Sequence, residues 1–307
     1  MYDIIIVGAG PAGLTSAIYA ARAHKKVLVL EASAYGGQIV TTPSIENYPA
    51  ISNISGYDFA TNIYNQALES GAKVKFEKVI DVVNYDDKKE VVTNKKTYEA
   101  KAVILATGSD NRKLGVDRED YFAGKGISYC ATCDGNFYKK KVVAVVGGGN
   151  TALEEALYLT DICKKVYLIH RRDSFRGEAT LVRKLNKKDN VQIIYNSNVT
   201  RLIGRSKLEA IEITDNDDKK ERLDVSGLFI AVGRIPENQG FGKLIDLNEN
   251  GYVIASEDCH TNVDGLFVAG DNRVKQVRQL VTAESDGAVA ALEAIKYINN
   301  FEDNKKE

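Results

Sequence analysis

The chain opens on a short apolar run, Asp3 to Val7 (DIIIV), that passes straight into Gly8-Ala9-Gly10-Pro11-Ala12-Gly13. A stretch with helical periodicity follows, Leu14 to Ala23, and then a second apolar run, Lys26 to Leu30, ending at Glu31. A short β-branched run bounded by glycine reads as a buried strand. The pattern therefore predicts strand, glycine-rich turn, helix, strand, acid. The same pattern recurs further on: Lys141 to Val146 (KVVAVV), the turn Gly147-Gly148-Gly149-Asn150-Thr151-Ala152, helical Leu153 to Leu159, and the strand Val166 to Ile169. Gly8 and Glu31 are 23 residues apart, and so are Gly147 and His170. The expectation is an α/β chain with two Rossmann-like dinucleotide-binding folds.

Each residue of such a turn has a physical task. Gly8 permits the tight turn, Gly10 lets backbone approach a pyrophosphate, and Gly13 lets helix and strand pack closely. Pro11 and Ala12 complete the turn. The helix start offers free N–H groups and partial positive charge to phosphate. Glu31 stands where a carboxylate accepts hydrogen bonds from a ribose diol. Gly147 and Gly149 repeat the pattern, but the second unit ends in His170-Arg171-Arg172, with Arg176 just beyond. A ribose 2′-hydroxyl needs an acceptor, whereas a 2′-phosphate needs cations, and arginine makes planar multi-donor contacts to phosphate. The first unit thus suits FAD and the second NADPH. The competing reading of the arginines is a solvated basic loop.

Three more apolar strands open into small-residue turns. Ala102 to Leu105 runs into Ala106-Thr107-Gly108, Leu228 to Ala231 into Val232-Gly233-Arg234-Ile235-Pro236, and Leu266 to Val268 into Ala269-Gly270-Asp271. Such turns serve where backbone passes close to a ligand.

Composition narrows the picture. At 307 residues the chain has room for about two domains. Lys and Arg number 41 against 42 Asp and Glu, so no broad basic field points to nucleic acid or an anionic membrane. The N-terminal apolar run lacks a basic lead, and no apolar stretch approaches the ~20 residues of a membrane helix. The expected location is the cytoplasm. There the four cysteines, Cys130, Cys133, Cys163 and Cys259, do not form a disulfide scaffold, and a close pair points to catalysis or metal.

That pair lies in Ser128-Tyr129-Cys130-Ala131-Thr132-Cys133-Asp134-Gly135. Two thiols on one helical turn can form a readily exchanged disulfide, and the arrangement lowers a thiol pKa. Asp134 adjoins the second sulfur as a candidate general acid–base. Zinc would need about four ligands, yet the chain has one C-x-x-C, and His24, His170 and His260 are scattered. The metal expectation is therefore none. An inert structural pair is the other alternative. Cys163 reads as a buried helix-end residue, Cys259 as a loop thiol, and the tail Asp303 to Glu307 as solvated charge.

Together these motifs resemble the low-molecular-weight (bacterial-type) thioredoxin reductase family along essentially the whole chain. The matching segments are Gly8 to Gly13, Gly36-Gly37-Gln38, Glu46-Asn47-Tyr48-Pro49, Ala106-Thr107-Gly108, Cys130 to Gly135, Gly147 to Ala156, His170 to Arg176, and Ala269-Gly270-Asp271 with Arg278-Gln279-Leu280. The resemblance implies an NADPH domain (113–240, carrying the C-x-x-C) inserted into a discontinuous FAD domain (1–112 and 241–307). It implies hydride transfer from NADPH to FAD, reduction of a Cys130–Cys133 disulfide, and dithiol exchange with thioredoxin. Cys133 would lie against the flavin, Cys130 would attack thioredoxin, and Asp134 would move the proton. The NADPH domain would rotate between half-reactions about hinges near Arg112–Lys113 and Gln239–Gly240.

The same resemblance places Gly36, Gly37, Gln38, Asn47, Thr107 and Gly108 at the flavin. Asp271 would meet the ribityl chain, with Arg278, Gln279 and Leu280 near the isoalloxazine. Asn150, Thr151 and Glu154 would contact NADPH, beside His170, Arg171, Arg172 and Arg176. A homodimer is the family's usual state. Other readings remain open: a reductase for a different dithiol protein, a dithiol oxidase, a flavoprotein sensor without turnover, or a zinc module.

Overall fold

A computed structural model describes residues 1–304, with side chains to Phe301. The charged tail expected from Asp303 lies outside the described side chains. The predicted opening is present as β1 (Tyr2–Val7), α1 (Pro11–Arg22) and β2 (Val27–Glu31). Ile4, Ile5 and Ile6 are fully buried, as are Leu28 and Val29. Apolar side chains on both faces mark strands covered on both sides. The chain continues through α2 (Gly56–Glu69), β3 (Lys73–Phe76), β4 (Val79–Asn84), β5 (Lys89–Thr93), β6 (Thr97–Leu105) and the short β7 (Ser109–Asn111). Ser55 caps α2, its Oγ accepting the Asp58 N–H at 3.0 Å.

Two short helices come next, α3 (Glu119–Phe122) and, after the two-residue β8 (Ile127–Ser128), α4 (Ala131–Asp134). Then the pattern repeats as β9 (Val142–Gly147), α5 (Asn150–Ile162), β10 (Lys165–Ile169), α6 (Ala179–Leu185) and β11 (Val191–Ile194). An antiparallel meander of β12 (Ser197–Ile203), β13 (Ala210–Asp215) and β14 (Lys220–Asp224) leads into β15 (Gly227–Ala231). The chain ends through β16 (Arg234–Pro236), β17 (Leu266–Val268) and the long α7 (Leu280–Asn304).

The chain divides into two compact units, Met1–Asp110 with Ile235–Glu307, and Asn111–Arg234. In the first unit the sheet order is β3-β2-β1-β6-β5-β4. Strand β6 changes partner along its length: Thr97 to Ala100 pair antiparallel with β5, and Val103 to Leu105 pair parallel with β17. One face of this sheet packs on α1, α2 and α7 around Ile4, Ile6, Leu14, Ile104 and Phe267. The other face closes over Ile5, Leu28, Val103 and Leu105 with Phe241 and Ile245. Helix α7 sits tightly on α1, because Gly287 lies against the Ala12 carbonyl, and Ser16 Oγ donates to the carbonyls of both Ala12 and Gly287 at 2.9 Å.

The second unit has an all-parallel sheet, β11-β10-β9-β15-β8, with the meander as a separate three-stranded sheet. The crossings between units are β7 and β16, which pair with one another. The return into the first unit begins at Ile235, and just beyond it Asn238 is fully buried, its Nδ2 donating to the Gly251 and Asn272 carbonyls at 3.0 and 2.7 Å. The α/β class with two Rossmann-like folds is as expected. No helix of the described residues is long and apolar enough to cross a membrane.

Candidate active site

In the first unit the glycine-rich turn is built by backbone. Gly8 N–H donates to the Leu30 carbonyl and Ala106 N–H to the Val7 carbonyl, both at 2.8 Å. Gly8 has φ 107°, and a side chain there would run into the Ala106 carbonyl. A Cβ on Gly13 would meet the Gly8 carbonyl, so only glycine lets α1 approach β1 this closely. Helix α1 starts at Gly10 with no side-chain cap, has Pro11 in its first turn and carries no acid there. Its first N–H groups are left for an anion. Glu31 does more than stand at a strand end. Its Oε2 accepts the Ala9 N–H at 2.8 Å and its Oε1 the Ser33 N–H at 3.0 Å, so the carboxylate braces the turn.

The other candidates of this unit form linked pairs. Gly36 N–H donates to the Ala9 carbonyl at 2.8 Å, which brings the Gly36-Gly37 turn onto the first one. Gln38 Nε2 donates to the Ser109 carbonyl and, at 2.9 Å, to Asp110 Oδ1. Asn47 Nδ2 donates to Gln279 Oε1 at 3.1 Å, joining residues 232 positions apart. Arg278 donates to the Asp271 and Arg273 carbonyls and lies 4.3 Å from the Tyr252 ring centre. Leu280 begins α7.

Several contributors escaped the motif reading. Asn272 Nδ2 donates to the Leu105 carbonyl at 3.2 Å and to Thr107 Oγ1 at 3.0 Å, while Thr107 Oγ1 donates to Asn238 Oδ1 at 3.2 Å. This fully buried amide junction ties the end of β6, and with it Gly108, to the turn after β17. Asp286, on α7, accepts the Gly270 N–H at 3.0 Å, Arg273 at 2.8 and 2.9 Å, and Lys275 Nζ at 2.8 Å. The only sequence signal was a charge inside an apolar helical stretch. Tyr48 is pushed up to about 12 by burial and by Glu284 on α7.

In the second unit Gly147 repeats the role of Gly8: its φ is 157° and a side chain would strike the Ala231 carbonyl. Gly149 starts α5 with no side-chain cap, no acid in the first turn and open space where a Cβ would stand. The arginine segment folds back on this turn. Arg176 and Gly177 N–H both donate to the Gly148 carbonyl, at 2.8 and 3.1 Å. Asn150 Oδ1 accepts the Glu178 N–H at 2.8 Å and its Nδ2 donates to Glu178 Oε1 at 3.2 Å, locking loop to helix. Arg171, Arg172 and Arg176 are exposed, as are Thr151 and Glu154. An uncapped helix start beside three exposed cations fits a phosphorylated dinucleotide. His170 differs from its neighbours. Its ring is buried beneath Gly148, stacks on Phe175 at 5.2 Å, and is held below its usual pKa by burial and the nearby arginines. It packs under the turn rather than standing out with the arginines.

The cysteine turn lies in the same unit. Cys130 and Cys133 form a disulfide with Cα atoms 5.3 Å apart. Cys130 precedes α4, and its Sγ accepts the Cys133 N–H at 3.2 Å. A backbone donor at that sulfur favours its thiolate form. Asp134 Oδ2 accepts the Ser128 hydroxyl at 2.6 Å, and Asp134 N–H donates to the Cys130 carbonyl at 3.1 Å, so the carboxyl is fixed at the base of the turn. The N–H of Ala131, the residue after Cys130, donates to Glu155 Oε1 at 3.2 Å. The other thiols are elsewhere. Cys163 closes α5, with burial pushing it up to about 11. Cys259 is in a loop, as expected, yet fully buried and pushed up to about 12 by burial. Among the described residues no cluster of three or more His, Cys, Asp or Glu could hold a metal.

Comparison with known proteins agrees with this geometry. Residues 2–287 match the family described as Pyridine nucleotide-disulphide oxidoreductase. The thioredoxin reductase of Mycoplasma genitalium is 44% identical over 295 residues, covering 95% of this chain and 94% of that protein. That of Bacillus subtilis is 37% identical over 308 residues, covering 100% and 98%. The crystal structure of thioredoxin reductase from Streptococcus pyogenes superposes with a TM-score of 0.93 at 38% identity, covering 98% of this chain and 99% of that one.

Proposed function

The chain belongs to the pyridine nucleotide-disulphide oxidoreductase family, and from that premise we propose that it is a thioredoxin reductase using FAD and NADPH. The observation that carries this reading is the Cys130–Cys133 disulfide on its short helical turn, in the same unit as a second dinucleotide turn with an arginine loop.

The first unit is the FAD-binding domain in this reading. Its uncapped α1 start takes the pyrophosphate, and Gln38, Asn47, Asp271, Arg278 and Gln279 surround the rest of the group. The second unit is the NADPH-binding domain, with Gly149 and the start of α5 at the pyrophosphate and Arg171, Arg172 and Arg176 at the 2′-phosphate. When bound, FAD supplies the two-electron exchange between the nicotinamide and the disulfide. The protein's own part is to hold and release sulfur. The Cys133 N–H favours a thiolate at Cys130, which suits Cys130 to attack the disulfide of thioredoxin. Cys133 then closes the disulfide again, and Asp134, oriented by Ser128, takes and returns a proton at the sulfurs. The two short crossings, β7 and β16, support a reorientation of the second unit between half-reactions. A cytoplasmic homodimer completes the proposal.

The test is turnover with oxidised thioredoxin and NADPH, followed as thiol release, beside a glutaredoxin-type dithiol carrier. Turnover with thioredoxin is the expected result. Turnover with the other carrier alone would replace thioredoxin as substrate.

A further inference from the structure

Glu155 sits on the inner side of α5 among Ala152, Leu153, Ala156 and Leu159, all fully buried. Its two oxygens have different surroundings. Oε1 accepts the N–H of Ala131, the residue after Cys130, at 3.2 Å. Oε2 is buried and has no hydrogen-bond partner among the described residues. An ionised carboxylate with a bare buried oxygen is costly, and a neutral carboxylic acid there costs much less. The charges that act on Glu155 are Asp134, from the cysteine turn, and Glu154, its exposed neighbour. Other elements packed on α5 bring no cation to it. Strands β9 and β15 carry no titratable residue, the segment after α4 offers Tyr138, Lys165 of β10 donates to Tyr167 and Gln192, and Arg183 and Lys184 of α6 are exposed. Burial first, and Asp134 after it, push the Glu155 carboxyl up to about 7.

Asp134 and Glu155 therefore bracket α4. The first is held by Ser128 Oγ at 2.6 Å and the second by Ala131 N–H. Two neighbouring half-buried carboxyls ionise together only at a cost, and the Asp134 charge favours the protonated form of Glu155, so one proton is assigned to the pair. We propose that Glu155 is a positioning residue of the reaction: through Asp134 it keeps one exchangeable proton at the foot of the Cys130–Cys133 turn. The inference rests on the reading of these cysteines as the redox pair.

The chemistry balances. Reduction breaks one S–S bond and places two electrons on the two sulfurs. NADPH gives up a hydride, which is two electrons and one proton, and the second proton comes from water. The carboxyl pair lends that second proton to a sulfur and recovers it from solvent. When Cys130 attacks a substrate disulfide, that S–S bond breaks and the Cys130–Cys133 bond re-forms; the two protons of the thiols end on the two substrate sulfurs, one of them relayed by the carboxyl pair, which hands on its own proton as it takes up the one that leaves.

The experiment is the pH dependence of Cys130 alkylation in the NADPH-reduced holoenzyme, read by peptide mass spectrometry. A first control, appearance of two alkylatable cysteines on adding NADPH, tests the redox assignment itself; its failure would remove that assignment and this inference with it. With the control met, the wild-type profile should show an inflection near pH 7 besides that of the thiol. Glu155→Gln should lose it, and Glu155→Asp should keep it. An inflection unchanged in Glu155→Gln, or missing from the wild type, would overturn the proposal. Infrared spectra of the wild type supply a reading that needs no variant. A protonated-carboxyl C=O band should fade as the pH rises through 7 and should shift when glutamate carboxyls are 13C-labelled, and an unshifted band would overturn it.

Discussion

Arg273 and Asp286 meet in a two-pronged ion pair beneath the turn that follows β17, with Nε to Oδ2 at 2.9 Å and Nη2 to Oδ1 at 2.8 Å. Both side chains are buried, and Lys275 adds a third contact at 2.8 Å. The same carboxylate holds Gly270 N–H, so it fixes the backbone that presents Asp271.

Removing one partner of such a buried pair leaves charge unpaired and costs about 3–5 kcal/mol. Asp286→Asn should therefore unfold at markedly lower urea and should lose FAD on gel filtration. Unchanged stability with full flavin content would contradict the role given to this pair.

The pair also sets an acid limit. Burial alone would raise the Asp286 pKa, but the hydrogen bonds from Arg273 and Lys275 outweigh it and hold the carboxyl below its ordinary 3.8. A carboxylate with a lowered folded pKa stabilises the fold above its unfolded value and loses that contribution as pH falls through the folded one. The stability difference between wild type and Asp286→Asn should hold steady near neutrality and shrink below about pH 4. Equilibrium denaturation across pH 3 to 7 measures it.

Donor choice is tested on the arginine loop. Charge-assisted hydrogen bonds contribute about 1.5–3 kcal/mol each. Arg172→Ala with Arg176→Ala should raise KM for NADPH by about 100-fold or more, and leave KM for NADH little changed. Equal losses with both donors would mean the loop does not read the 2′-phosphate.

Much of this was legible in the chain. The two 23-residue spacings located both dinucleotide turns, because a parallel strand pair with a crossing helix imposes that length and glycine where backbone must touch backbone. Gly8 and Gly147 are cases in point, each pressed on a carbonyl from a distant strand. The cysteine pair was legible for a different reason: its chemistry needs two thiols on one turn. What stayed hidden depends on contacts between remote segments. Asn272 and Asn238 look like loop residues until their burial shows that they knit strand ends together. His170 was read with the arginines by position alone, and the fold turned its ring inward. Glu155 sits beside Glu154, and only helix phase separates the half-buried acid from the exposed one.

Close packing at the first turn makes a sharper expectation. Gly13→Ala puts a methyl group against the Gly8 carbonyl, so α1 must move off β1. The variant should purify with little flavin while its circular dichroism stays near that of the wild type. Stoichiometric FAD in this variant would count against the assignment of the first turn.

The most direct measurement is an anaerobic titration of the purified protein with NADPH, followed by flavin absorbance. The wild type should bleach and take up more than two electrons per flavin, because the Cys130–Cys133 disulfide accepts a second pair. Cys133→Ser should stop at two. A colourless protein, a flavin that NADPH leaves yellow, or a wild type that stops at two electrons would contradict the account.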